Sequence, residues 1–454
     1  MLSRVRLVTS AALAALAMAP AQAGAAPAAP ADAFADSVGV NTHVMYSKTA
    51  YWDLERMRTA LRYLGVRHIR DGVRWYTSPS YGWYRDEQAK RYTSLARSGI
   101  GLNLLMPWPN GEVGTTRQAL DVIAGLPGVV SVEAANEWDL QGPFETWPQE
   151  IRAQTRETRA AMKADPKLRR TPFIAPSFGR NGSPVTAGDL SAHVDFGNSH
   201  PYMGGSRPEI GEFPGQWSIQ RHIDTLRAVS GTKPFVITET GYHTAANQTD
   251  RQKPVGADAG AAYLVRTLLE HFRLGATRTY VYELVDQYDD PELGNQEANF
   301  GLFRNDWSPK PAATAVRNLL AVLRSGRALR GQSLDYTVTG GDANLRTMAF
   351  TKSGGGFTLA IWRPEVLWNH ATKQPIAVRD VPMTVTFGKQ FAGAQVFRPT
   401  RGSGAFQTVG ATAGMDVAVG ADPVLIDLRP TAGDRWNAQL REWWCRVAPT
   451  TCPR

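Results

Sequence analysis

The chain is poor in cysteine, lacks compact metal-ligand spacings, and nowhere concentrates charge of one sign. Two cysteines in 454 residues exclude a scaffold built on disulfides. The eight histidines include no HExxH pair or other close ligand set, so no catalytic metal and no cofactor is expected. No glycine-rich phosphate turn follows an early strand, which argues against a dinucleotide fold. Lysine and arginine total 50 against 41 acids, a formal charge of +9, but they are scattered and form no arm suited to nucleic acid. No stretch reaches the roughly 20 apolar residues that a membrane span needs.

What is present begins with Arg4 and Arg6, an apolar run from Ala11 to Pro20, and the small residues Ala21-Gln22-Ala23. This order fits a signal peptide over 1–23, so a secreted, extracellular or periplasmic protein is expected. Without that segment the formal charge is +7, a basic surface that favours acidic surroundings only weakly. Residues 24–36 are rich in Ala and Pro and read as a mobile leader.

From residue 37 the pattern alternates. SVGVNTH, VRHIRDG, GLNLLMPW, VVSVEAANE, TPFIAPSFG, DFGNSHPY, PFVITETG and RTYVYELVD are eight short apolar segments that end in polar residues. Between them lie helical patterns, such as Leu54, Met57, Leu61 and Leu64 closed by Gly65, with others over 259–274 and 311–324. Eight such alternations predict a (β/α)8 barrel over 37–328, with an open doubly wound sheet as the alternative. After about residue 330 the segments FTLAI and MTVTF, separated by glycine-rich turns, predict a small β-sandwich over 329–430. The tail, 431–454, carries Trp436, Leu440 and Trp443 at helical spacing, which suggests a helix docked by its aromatic face. Cys445 and Cys452 lie close together in this tail and are expected to pair.

A barrel of this kind places its chemistry where the strands end. The fourth segment ends in Asn136-Glu137, the seventh in Glu239, the sixth in His200 and Tyr202, the second in Arg70, and the first in Asn41 and His43. Glu137 and Glu239 are far apart in the chain, yet the fourth and seventh strands face each other across a barrel. Two facing carboxyl groups suit glycoside cleavage: about 5–5.5 Å permits direct attack and retention, and roughly 6.5–9.5 Å admits a water and gives inversion.

VEAANEWD and FVITETGY resemble the acid/base and nucleophile signatures of glycoside hydrolase clan A. The resemblance covers roughly residues 37–325, includes NSHPY and NFGLFRNDWSPKPAA, and at family level is similar to families 39 and 5. It implies Glu137 as acid/base and Glu239 as nucleophile in a retaining hydrolase of β-linked glycosides or polysaccharide. Where the clan often has Trp at the end of strand eight, this chain has Tyr282-Glu283.

A second negative charge beside ionised Glu239 is disfavoured, so Glu137 is expected to hold the proton. Asn136 is expected to bind a sugar hydroxyl, and Arg70 or Tyr202 to keep Glu239 ionised. Arg70, His200, Tyr202, His43, Asn41 and Glu283 are expected to contact substrate, and Trp75, Trp108 and Trp138 to offer ring faces to sugars. The expected partner is an oligo- or polysaccharide, with no nucleic acid, and the chain is expected to be a monomer. Two other readings use the same residues: a transglycosylase with the same glycosyl-enzyme, and a non-catalytic carbohydrate-binding surface protein.

Overall fold

The structure, a computed structural model, describes residues 22–74, 82–109, 115–209, 218–248 and 252–447. Residues 1–21 of the expected signal segment, Trp75 and Cys452 lie outside these residues, and the last two positions of that segment, Gln22 and Ala23, begin a strand. Eight parallel strands, at Val38–Asn41, His68–Gly72, Gly101–Leu105, Val129–Glu133, Phe173–Ile174, Gly197–Ser199, Phe235–Thr240 and Ala276–Val281, form one sheet. A bridge between Ile174 and Phe196 joins the fifth strand to the sixth and closes the barrel. A helix follows each strand on the outside, from Leu54–Leu64 after the first to Pro311–Leu323 after the eighth.

Local chemistry accounts for these elements. Leu54–Leu64 is capped by the Asp53 side chain on the Arg56 amide, buries Met57, Leu61 and Leu64, and ends where Gly65 turns left-handed at φ 77°. Phe235–Thr240 is buried along its whole length, as expected for a strand walled in by barrel interior and helices. Two residues past Glu239, a Cβ on Gly241 would lie 2.2 Å from the Tyr282 carbonyl oxygen. The close approach of the seventh and eighth strand ends therefore requires glycine.

The second unit is a β-sandwich, with Gln332–Thr339, Val381–Phe391 and Thr412–Val419 on one side, and Arg346–Thr351, Phe357–Trp362, Gly393–Phe397, Gln407–Val409 and Val424–Arg429 on the other. Residues 24–36 are not the mobile leader that their composition suggests. Gln22–Pro30 is a strand, antiparallel to Gln332–Thr339 from Gln22 to Ala28 and then parallel to Phe350 and Thr351 through Ala29 and Pro30. It links the two sheets. Ala31–Ser37 is a helix whose Phe34 is fully buried against Phe272 of the barrel and Phe350 of the sandwich, at ring separations of 5.2 and 5.4 Å.

The tail also departs from expectation. Ala432–Val447 is a helix, but Trp436, Leu440 and Trp443 face solvent at 63%, 47% and 54% exposure. It is held instead by buried Ala438 and by Asp434, which accepts from Lys389 at 2.6 Å. Cys445 lies on this helix.

Deleting Gln22–Pro30 removes the central link of the sandwich ladder. At ~0.5–1.5 kcal/mol for each hydrogen bond lost, a chain starting at Ala31 is expected to lose at least about 3 kcal/mol in urea unfolding. Equal stability of the two chains would contradict the pairing.

Candidate active site

Six of the eight strands send a polar side chain into the upper layer of the barrel: Asn41, Arg70, Asn103, Glu133, Asn198 and Thr238, every one buried. Arg70 is the hub. Its Nε and Nη2 donate to the two oxygens of Glu133 at 2.9 and 2.7 Å. Nη1 donates to Asn41 Oδ1 at 3.0 Å and to Glu239 Oε1 at 2.5 Å, and Nη2 also donates to Asn136 Oδ1 at 2.7 Å. A guanidinium has five N–H groups, and all five are spent on protein. Arg70 therefore has none left for a sugar, and the expectation that it binds substrate gives way to one that it positions Glu239 and Asn136. Burial disfavours its charge, but Glu133 and Glu239 outweigh that and raise its pKa.

Glu239 lies at the end of the seventh strand and is largely buried. Its second oxygen accepts from the Tyr202 hydroxyl at 2.9 Å. Burial would lift its pKa, but His200, Arg70 and Tyr202 prevail and hold it below the ordinary carboxylate value. Glu137 stands opposite, in a left-handed conformation at φ 44° that starts a short helix over Trp138–Gln141. Its Oε1 lies 2.7 Å from His200 Nδ1.

The network also places a proton. Thr238 Oγ1 has one hydrogen and two acceptors beside it, Asn198 Oδ1 at 2.7 Å and Glu133 Oε1 at 3.0 Å. It must therefore accept from His200 Nε2 at 2.8 Å. With Nε2 protonated, a single further proton is shared between His200 Nδ1 and Glu137. Burial disfavours charge on His200, but Glu239 and Glu137 overcome this and raise its pKa.

Oxygens of Glu137 and Glu239 and a nitrogen of His200 all lie within 4.8 Å of one another. Such a trio has the donor types of a metal site. Here Arg70 and Tyr202 donate to the two oxygens of Glu239, and the two ring nitrogens of His200 lie against Glu137 and Thr238. The arrangement suits proton transfer and nucleophilic attack.

These groups open into a cleft of about 1040 Å³ that is lined by Asn41, His43, Arg70, Trp108, Asn136, Glu137, His200, Tyr202 and Glu239. Asn41 is deep in its floor, with its amide on the carbonyls of Thr238 and Tyr280 at 3.1 and 3.4 Å and its oxygen on Arg70, so it braces Arg70. His43 forms part of the wall, stacked on Tyr46 at 4.4 Å. Trp108 is 43% exposed, and its indole N–H is fixed on the Asn136 carbonyl at 2.7 Å.

Two expected contacts are absent from the cleft. Glu283 is fully buried behind His43, 3.2 Å from its Nε2, and accepts from the Tyr51 hydroxyl at 2.8 Å. Trp138 is buried behind Trp108 and donates to Glu150 at 2.7 Å. Both support the residues that do face the cleft.

Glu133 was missed, although a carboxylate inside the apolar segment VVSVE signals a buried partner, because burial of an unpaired charge is prohibitive. Tyr282 was noted only as a departure from the clan. It lines the cleft and donates to Glu297 at 3.0 Å. Burial pushes the Glu297 carboxyl up.

No protein-family model matches the sequence, and no curated protein matches it. Solved structures do resemble it. Similar in fold are a family 39 glycoside hydrolase from the gut symbiont Bacteroides cellulosilyticus WH2 (TM-score 0.62, 16% identity, 88% of this chain and 81% of that one), and the GH39 enzyme from Xanthomonas axonopodis pv. citri (0.59, 17%, 89% and 96%). A monomeric beta-xylosidase from Caulobacter crescentus CB15 gives 0.59 at 17% identity over 89% of this chain and 98% of that one. What this chain shares with them is a (β/α)8 barrel followed by a β-sandwich.

Two outcomes test the site. Arg70→Met leaves Glu133 and Glu239 buried without their cation and is expected to cost about 3–5 kcal/mol in urea unfolding. Because Glu239 is depressed when folded, its contribution to stability is present above its unfolded value of about 4.5 and is lost as pH falls through the folded one. Glu239→Gln should therefore lose less Tm than the parent on acidification below about pH 4.5. Parallel curves would contradict the assignment.

Proposed function

We propose that the protein is a retaining glycoside hydrolase acting on β-linked glycosides or polysaccharide. The observation that carries this reading is that Glu137 and Glu239 each bring an oxygen within 4.8 Å of the other, closer than the roughly 6.5–9.5 Å typical of inverting pairs. Ionised Glu239, held by Arg70 and Tyr202, attacks the anomeric carbon as the bond to the leaving oxygen breaks. That oxygen takes the proton shared by Glu137 and His200, and the sugar is left esterified to Glu239. Water then gives a proton to Glu137 and attacks the same carbon, and Glu239 departs as carboxylate.

Asn136 offers its amide NH2 to a sugar hydroxyl, since its oxygen is occupied by Arg70 and Ser177. Tyr282 and Trp108 supply ring faces at two sides of the cleft. The sugar is left to experiment, and the xylosidase neighbour makes aryl β-xylosides a natural member of the first substrate panel. We also propose that the protein is exported through its N-terminal segment and acts as a monomer. No helix among the described residues is long and apolar enough to cross a membrane.

The test is a screen of chromogenic glycosides and polysaccharides, with the anomer of the first product followed by NMR. Glu137→Ala is expected to lower turnover about 10²–10⁴-fold, and Glu239→Ala to abolish it. The first product should retain its configuration. Turnover unchanged in both variants, or an inverted first product, would overturn the reading.

A further inference from the structure

The Tyr202 hydroxyl and Arg70 are the donors to Glu239 among the described residues, yet Tyr202 lies on the loop after the sixth strand, outside the sheet. What fixes that loop is found on the sandwich. Seven residues after Tyr202, Glu209 places its carboxylate between Arg266 of the helix Ala257–Arg273, at 2.7 and 2.5 Å, and the indole N–H of Trp362 from the sandwich strand Phe357–Trp362, at 2.9 Å. Side-chain exposure is 1% for Glu209 and 0% for Arg266, and Trp362 is fully buried. Arg266 also donates to the Glu365 carbonyl at 2.9 Å.

The contacts continue along the loop. Arg207 donates to the Pro364 carbonyl, and the Ser206 carbonyl accepts from the Tyr242 hydroxyl at 3.0 Å. At Gly205, with φ 84°, a Cβ would stand 2.4 Å from the Lys253 carbonyl oxygen and 2.7 Å from the His370 ring. Met203 and Gly204, next to Tyr202, line the cleft. One continuous segment thus carries a cleft wall at one end and a buried charge pair, closed by the sandwich, at the other.

We propose that Glu209, Trp362 and Arg207 are positioning residues for the reaction: through them the sandwich clamps the loop that presents Tyr202 to Glu239. This rests on the hydrolase reading for its kinetic consequences, but not for the clamp itself. Buried charge is tolerated only where its partners are complete, so Glu209 has one place to sit, and the loop has one path from it back to Tyr202. The sandwich then acts on chemistry without touching substrate.

The experiment uses the full chain carrying Trp362→Phe, which keeps an aromatic side chain and removes the donor, or Arg207→Ala, which leaves no buried charge unpaired. The second keeps the proposal testable if the first fails to fold. Each is expected to lower kcat/KM roughly fivefold or more, as a misplaced catalytic group does. Each should also move the acid limb of the kcat/KM profile to higher pH, because Glu239 without its Tyr202 hydrogen bond ionises less readily.

Tyr202→Phe should give the same movement, and combining it with Arg207→Ala should add nothing further. Hydrogen exchange supplies a readout independent of turnover: peptides spanning 200–209 should exchange about tenfold faster in the variants. A lower Tm with unchanged acid limb and unchanged exchange would overturn the clamp. If the parent protein turned over no glycoside, the hydrolase reading would fail, and the exchange measurement would still decide the clamp.

Discussion

Everything at the mouth of the barrel depends on one guanidinium with no proton to spare. Arg70 lies between a fully buried carboxylate, Glu133, and one that lines the cleft, Glu239. It binds the first through both oxygens and the second through one, while Asn41 and Asn136 take the remaining donors. A lysine would supply charge without this planar fork and could not satisfy acceptors on four side chains at once. The arrangement keeps Glu239 ionised in a site dry enough to favour the neutral acid, and it holds Asn136 with its oxygen turned inward.

The same layer governs the proton on the other side. Glu133 accepts from Arg70, Asn103 and Asn198, and with Asn198 Oδ1 it competes for the single Thr238 hydrogen. With only acceptors on that side, Thr238 accepts from His200 Nε2. Two buried groups behind the cleft thus set which nitrogen of His200 faces Glu137. Glu137 and Glu239 are held by one network at the same end of the barrel.

The strand ends were legible because barrel strands are short apolar runs and the polar residue that closes each one stands out. Glu137, Glu239, His200 and Tyr202 were found that way. Glu133 and Thr238 lie inside the runs, where the choice between packing and pairing depends on neighbours from other strands. Glu283 and Trp138 also end strands or follow them, but one further turn of backbone puts them behind the cleft wall, which spacing alone does not reveal. Gln22–Pro30 was opaque for a different reason. Ala and Pro carry almost no strand preference, and its partners are some 310 positions away, so only the register with Gln332–Thr339 makes it a strand. The Trp436 face was misread because helical spacing reports that a stripe exists and not which side is covered.

The strand at Gln22–Pro30 has a consequence for the order of events in making the molecule. It joins the two sheets of a unit whose other strands all come after the barrel, so in topological terms the barrel is an insertion within the sandwich. A ribosome emits this strand before the barrel and its partners after it. During that interval the barrel can close upon itself while the first strand waits with its ladder unpaired. Completion of the sandwich is then a late ring closure across some 310 residues, and a circular permutant with this strand moved beyond the barrel would shorten that wait.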